Sequence, residues 1–259
     1  MLEKKINNIG FKVGQWPLDE NKSTLVFMHG SAGTNVLWKN QVNGLSEVCN
    51  TVAPDLPGHG LSDGPGLDTM TDYANVMEQF IDELNPPNPI LVGLSIGGGI
   101  VIQMLLNRQE KYKAGILVNT GARLRVSPDI INTVQTDYPG FLASFGSIAT
   151  SSKTDPALYQ PLMDASASCP PEIALGDFQA CDRFDVMDQL GKLSIPILIL
   201  TADEDRLTPA KYAQFMADKI ESSKIAMITD AGHLSPMEQS EQVNTAITNF
   251  LVEMKLAGV

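Results

Sequence analysis

Two spacings of apolar residues alternate along the chain. Six short runs are rich in β-branched and aliphatic residues, each closed by glycine or a turn former: Thr24 to His29, Thr51 to Pro54, Pro89 to Leu94, Ala114 to Asn119, Ile195 to Thr201 and Lys224 to Thr229. The later runs, such as Ile-Leu-Val-Gly-Leu and Ile-Pro-Ile-Leu-Ile-Leu, are almost continuously apolar, as strands covered on both faces of a parallel sheet must be. Between them the apolar positions step by three and four. Met70, Tyr73, Met77, Phe80, Ile81 and Leu84 form one stripe after a capping box from Thr69 to Asp72. Val243, Ala246, Ile247, Phe250, Leu251 and Met254 form another. Each predicts a helix with its apolar face on a core. Strands alternating with helices predict a parallel sheet wrapped by helices.

One segment breaks the alternation. From Arg123 to Asp185 there is no strand-like run, and Pro128, Pro139, Pro156, Pro161, Pro170 and Pro171 divide the segment into short helices. It predicts a helical insertion lying over the sheet, because a structureless loop of that length does not suit a compact domain.

Composition narrows the function classes. At 259 residues the chain has the length of a single α/β domain and buries enough surface to fold without staples. Its 18 Lys+Arg against 30 Asp+Glu leave a net charge of −12 and no basic cluster. That argues against nucleic acid and against an anionic membrane surface as partners. No stretch approaches the roughly 18 apolar residues of a membrane span. Cys49, Cys169 and Cys181 are an odd, scattered set, and the N-terminal residues lack the apolar run of a secretory signal. Both features lead to the expectation of a cytoplasmic protein. The three histidines are far apart and unpaired with cysteine, so no metal site is expected.

The candidate chemistry begins at Gly93-Leu-Ser95-Ile-Gly97, which follows the run Pro89 to Leu94 and opens the helical run Gly98 to Leu106. G-x-S-x-G alone is a weak signal; between a strand and a helix it reads as a nucleophile elbow. There the hydroxyl stands exposed above the sheet, and a Cβ on either glycine would strike the turn's neighbours. The helix start also aims free N–H groups at a reacting carbonyl. The base must be His29, His59 or His233. Only His233, in Asp230-Ala-Gly-His-Leu-Ser-Pro, lies in a loop between the last strand and the C-terminal helix, where an imidazole is both positioned and mobile. Its carboxylate partner is sought in Asp203-Glu-Asp205 at the end of the run Ile195 to Thr201, with Asp205 the first candidate and Asp203 the fallback.

The chain order Ser95, Asp205, His233, together with His29-Gly-Ser-Ala-Gly33, Asp55-Leu-Pro-Gly-His-Gly60 and Gly232-His233 before Glu238, resembles the α/β-hydrolases of the serine esterase type over essentially the whole chain. The resemblance implies an α/β fold with a mostly parallel central sheet of about eight strands flanked by helices. It implies a core of residues 1–122 and 186–259, with residues 123–185 as a helical cap inserted after strand six. It places one oxyanion-hole N–H on Ile96 and the other on the loop after the first core strand, at Ser31. The Ser31 side chain either adds a donor or stabilises the turn. The family uses the His29 and His59 segments to shape loops, and Glu238, at Ser-x-x-Glu spacing, is expected to cap a helix.

The expected reaction is acyl transfer on a small-molecule carboxylic ester, through an acyl-enzyme on Ser95 and without a cofactor. Tyr138, Phe141, Phe145, Tyr159 and Met163 either line a modest apolar acyl pocket or pack the cap onto the core. Lactonases, thioesterases, perhydrolases and C–C hydrolases use the same three residues, and some members of the fold only bind ligands. The sequence does not separate these, although Leu234 stands where C–C hydrolases usually carry tryptophan. Nor does it separate a monomer from a homodimer.

Overall fold

A computed structural model describes residues 1–257. The chain opens with a hairpin outside the six expected runs: β1 (Leu2–Ile6) and β2 (Ile9–Val13), whose Ile9, Phe11 and Val13 alternate, pair antiparallel around Asn7, whose φ is +48°. The pattern is silent at β1 because Leu2-Glu-Lys-Lys-Ile is a solvent-facing edge strand with no apolar alternation. The six expected runs then follow as β3 (Thr24–Met28), β4 (Asn50–Pro54), β5 (Pro89–Leu94), β6 (Ala114–Val118), β7 (Ile197–Ala202) and β8 (Ser223–Ile228). β7 starts two residues later than expected, since Pro196 has no N–H to give the ladder.

The helices are α1 (Lys39–Gly44), α2 (Met70–Leu84), α3 (Ile96–Arg108), α4 (Pro128–Thr136), α5 (Tyr138–Ala149), α6 (Pro156–Ser166), α7 (Pro171–Arg183), α8 (Ala210–Lys219), α9 (Ser235–Glu238) and α10 (Ser240–Glu253). Thr69 caps α2 by accepting from the Asp72 N–H, as its capping box predicts. Among the described residues no helix is long and apolar enough to cross a membrane.

The sheet has eight strands in the order β1-β2-β4-β3-β5-β6-β7-β8, antiparallel at the hairpin and parallel from β4 onward. Alternate side chains of each strand feed two cores. Val26, Met28, Leu91, Leu117 and Ile199 meet α2, α3 and α8 on one face; Leu25, Phe27, Ile90, Val92, Ile116 and Leu200 meet α1 and α10 on the other. Each such side chain contributes about 1.5–3 kcal/mol on burial. β8 closes the sheet as an edge, with Ile225 and Met227 exposed.

Between β6 and β7 the chain leaves the sheet as four helices, α4 to α7. Arg123 and Asp185 face each other in an antiparallel bridge where the excursion begins and ends. Proline stands in the first turn of all four helices, where its missing N–H costs nothing. The insertion has its own small core of Val134, Tyr138, Phe141, Ile173 and Phe178, which also holds Ala32 from the loop after β3.

Candidate active site

β3 and β5 are neighbours, but their connections leave in opposite directions, one toward β4 and the other toward β6. In open α/β sheets this is where the loops diverge and a crevice forms. Ser95 sits at the end of β5 with φ +57°, a left-handed conformation that costs a non-glycine residue on the order of 1–3 kcal/mol. Its N–H donates to the Val118 carbonyl (3.2 Å) and its carbonyl accepts from Thr120 Oγ1 (2.7 Å), so the end of β6 and the loop after it hold the turn. The flanking glycines are sterically required. A Cβ on Gly93 would lie 2.1 Å from the Gly97 carbonyl oxygen, and one on Gly97 would lie 2.3 Å from that of Met28. The Ile96 N–H, at the first position of α3, has no acceptor among the described residues, and neither has that of Ser31.

Asp205 and His233 converge from the loops after β7 and β8. His233 Nδ1 lies 2.9 Å from Asp205 Oδ2, which also accepts from Thr208 Oγ1 (2.6 Å). Asp205 Oδ1 accepts from the N–H groups of Leu207 (2.8 Å) and Thr208 (2.9 Å). Burial alone would raise this carboxyl, but the charge and hydrogen bond of His233 and the Thr208 donors outweigh it and hold it down at about 2. With Nδ1 donating to a carboxylate, the Nε2 lone pair of His233 is left to take a proton. The loop is fixed by its backbone: the His233 N–H donates to the Ala149 carbonyl (2.6 Å), and Asn119 Nδ2 donates to the carbonyls of Gly232 (3.1 Å) and His233 (2.9 Å). Asp203 is placed elsewhere, accepting from the N–H groups of Asp230 (3.2 Å) and Ala231 (3.3 Å).

Glu238 is not the cap that its Ser-x-x-Glu spacing predicts, and α9 has no side-chain cap. Its Oε1 accepts from the Gly232 N–H (3.0 Å), while Oε2 accepts from the Ser151 N–H (2.8 Å) and Thr154 Oγ1 (2.6 Å). It therefore ties the His233 loop to the helical insertion. Glu238→Ala is expected to orphan two buried N–H groups and to destabilise the fold by about 3 kcal/mol. In calorimetry that is a Tm lower by roughly 6–12 °C for a chain of this size.

The other two histidines shape loops, each in its own way. His29 donates from Nδ1 to the Gly30 carbonyl (2.8 Å) and accepts the Leu56 N–H at Nε2 (3.0 Å). Burial, with the charge of His59 beside it, pushes its pKa down to about 3, so it stays neutral. His59 faces acceptors on both nitrogens, the Pro57 carbonyl (3.1 Å) and Asp177 Oδ2 (3.0 Å). Burial alone would lower its pKa, but the Asp177 charge holds it well above the ordinary histidine value. Asp177, on α7, also accepts from the Ala32 N–H (2.8 Å) and from the Tyr73 hydroxyl. Nothing in the sequence singled it out, because its partners lie 104 to 145 residues away.

Ser95, His233 and Ser31 open onto one cavity of about 270 Å³. Phe141, Phe145, Leu162, Met163 and Phe178 of the insertion form much of its wall. Tyr138 and Tyr159, for which the sequence left open the wall or the packing of the cap, lie off the wall. The Tyr138 hydroxyl donates to the Ser166 carbonyl (3.0 Å), and the Tyr159 ring packs on Gly146, where a Cβ would meet it at 2.3 Å. Both rings therefore join helix to helix. Ser31 Oγ lies 3.7 Å from Cys181 Sγ, whose thiol burial pushes up to about 12. A neutral thiol is a weak nucleophile.

The chain is similar to a 3-oxoadipate enol-lactonase of Acinetobacter baylyi, 25% identical over 246 residues that cover 88% of each chain. It is similar to a carboxylesterase of Bacillus subtilis, 23% identical over 240 residues, 88% of this chain and 80% of the other. The solved structure of an esterase from Thermogutta terrifontis matches with a TM-score of 0.83 and 28% identity, covering 95% of this chain and 93% of that one. The profile of the alpha/beta hydrolase family matches residues 25–246, a span from β3 into α10 that holds the elbow and both loops facing it. By sheet order, elbow and profile together, the chain belongs to the alpha/beta hydrolase family.

Proposed function

We propose that this chain is a carboxylic ester hydrolase in which Ser95 is the nucleophile, His233 the general base and Asp205 the carboxylate that orients it. The observation that carries this reading is the shared cavity. It holds a serine in a left-handed elbow and an imidazole whose Nδ1 is anchored 2.9 Å from a buried carboxylate. Ser95 Oγ attacks the ester carbonyl while its proton passes to His233 Nε2, and Asp205 stabilises the imidazolium. The N–H groups of Ile96 and Ser31 receive the oxyanion, each worth roughly 3–4 kcal/mol to the transition state. His233 then protonates the departing alcohol. Water, deprotonated by the same imidazole, releases the acid from Ser95.

The cavity sets the substrate size. At about 270 Å³ with an aromatic and aliphatic wall, it lies at the small end of ligand pockets. It favours short to medium acyl chains. Two further buried methylenes are worth about 1.6 kcal/mol, or roughly tenfold in kcat/KM. Hydrolysis of p-nitrophenyl esters is therefore expected to rise about tenfold from acetate to butyrate and to fall at octanoate. Absence of turnover on all three would overturn the ester reading. A lactone is an ester closed on itself, and the similarity to an enol-lactonase makes lactones the second panel to measure.

A further inference from the structure

We infer that Asp177, a carboxylate of the helical insertion, is a positioning residue that sets the oxyanion loop, so that seating the insertion and forming the Ser31 donor are a single event. The inference rests on the ester-hydrolase reading of the site.

Gly30 to Gly33 form a tight turn, closed by the Gly33 N–H donating to the Gly30 carbonyl (3.0 Å). Its third residue, Ala32, has φ +54°, the signature of a type II turn, a position that favours glycine. A type I turn would suit alanine better, but it rotates the Ser31–Ala32 peptide by about half a turn. That rotation would take the Ala32 N–H away from Asp177 Oδ2, now 2.8 Å distant. An ionised acceptor makes a bond about twice as strong as a neutral one, and it selects the strained turn over the relaxed one. The Ser31 N–H belongs to the peptide immediately before, which a flip of the next peptide leaves in place; Asp177 acts on it by anchoring the loop at Ala32, one residue further on.

The carboxylate is itself held. His59, from the loop after β4, and Tyr73, from α2, both donate to Asp177, which is fully buried. One side chain of the insertion thus joins three separate segments of the core, and one of them carries the oxyanion donor. Ala32 also packs in the insertion's own apolar cluster with Phe141 and Phe178. The contact is therefore polar and apolar together.

The test separates positioning from clamping. The insertion lines the cavity, so a residue that merely pins it affects KM; one that sets the oxyanion loop affects kcat. Asp177→Ala is expected to lower kcat on p-nitrophenyl butyrate about 100-fold with KM changed less than about threefold. Asp177→Asn, which keeps a neutral acceptor for Ala32, is expected to recover most of this and lie about tenfold below wild type. Tyr73→Phe loosens the same clamp without touching Ala32 and is expected to keep kcat within about threefold. All are measured at least 10 °C below their own Tm. A folded Asp177→Ala with wild-type kcat overturns the inference. So does a Tyr73→Phe that loses as much kcat as Asp177→Asn, and this second comparison decides the matter if Asp177→Ala does not fold. Wild type and Ser95→Ala run in the same assay. Turnover independent of Ser95 overturns the site reading and this inference together, whereas Ser95-dependent turnover insensitive to Asp177 overturns this inference alone.

Discussion

Ser95→Ala is expected to lower kcat on p-nitrophenyl butyrate by about 10⁴–10⁶-fold while leaving the protein folded. In the proposed mechanism this hydroxyl forms the acyl-enzyme, and without it His233 and the proposed oxyanion donors have nothing to act on but water. The turn itself is built from backbone contacts to Val118 and Thr120 and does not depend on the hydroxyl. Ser95→Gly carries the reasoning into stability. At φ +57° glycine has no steric penalty, so this variant is expected to be equally inactive yet more stable than Ser95→Ala by about 1 kcal/mol. Urea denaturation of the pair measures the strain that the elbow stores. A glycine variant no more stable than the alanine variant would show that the turn is relaxed.

The second large effect belongs to Asp205. Asp205→Asn is expected to cost about 10⁴-fold in kcat at neutral pH. The amide offers no charge to an imidazolium, and its NH₂ group facing Nδ1 would drive the proton of His233 onto Nε2, where the serine proton must go. The pH dependence of stability follows from the same carboxylate. Its folded pKa of about 2 lies below the ordinary 3.8, so the stabilisation is complete above about pH 4 and is lost as pH falls toward 2. By linkage it amounts to about 2 kcal/mol, which the asparagine variant lacks. The gap in unfolding free energy between wild type and Asp205→Asn is therefore expected to narrow as pH falls from 4 toward 2. A gap that did not narrow over that range would contradict the lowered carboxyl pKa.

What was legible beforehand is what local pattern encodes. β5, the elbow and α3 announce themselves because Gly93, Ser95 and Gly97 stand at fixed spacing between an apolar run and a helix, and collision distances of 2.1–2.3 Å leave no alternative to glycine. The loops of Asp205 and His233 follow from where the strands end. β1 was not legible, because an exposed edge strand has no reason to alternate, whereas the alternating Ile9, Phe11 and Val13 of β2 carry a signal that the six expected runs do not include. Glu238 shows a different blindness. Its spacing fits a cap, yet its strongest partners are Ser151 and Thr154, 87 and 84 residues away, and no local rule reports them. Asp177 escapes for the same reason. Tyr138 and Tyr159 show the limit of composition: an aromatic residue on a short helix has two apolar surfaces available, and packing between helices took both rings.

The bridge between Arg123 and Asp185 has a consequence for how this scaffold can change. Because this isolated bridge already holds the two residues side by side, the chain between them leaves and returns at a single point. Doubling its length would add only about 0.6 kcal/mol of closure entropy. A different set of helices can therefore be exchanged at this neck, altering the acyl groups admitted. Such a graft inherits two obligations. It must replace the Ala149 carbonyl and the Ser151 and Thr154 donors that hold the His233 loop, directly and through Glu238. It must also present an acceptor to the amide of Ala32, or the transplanted lid will recognise a substrate that the machinery beneath it turns over slowly.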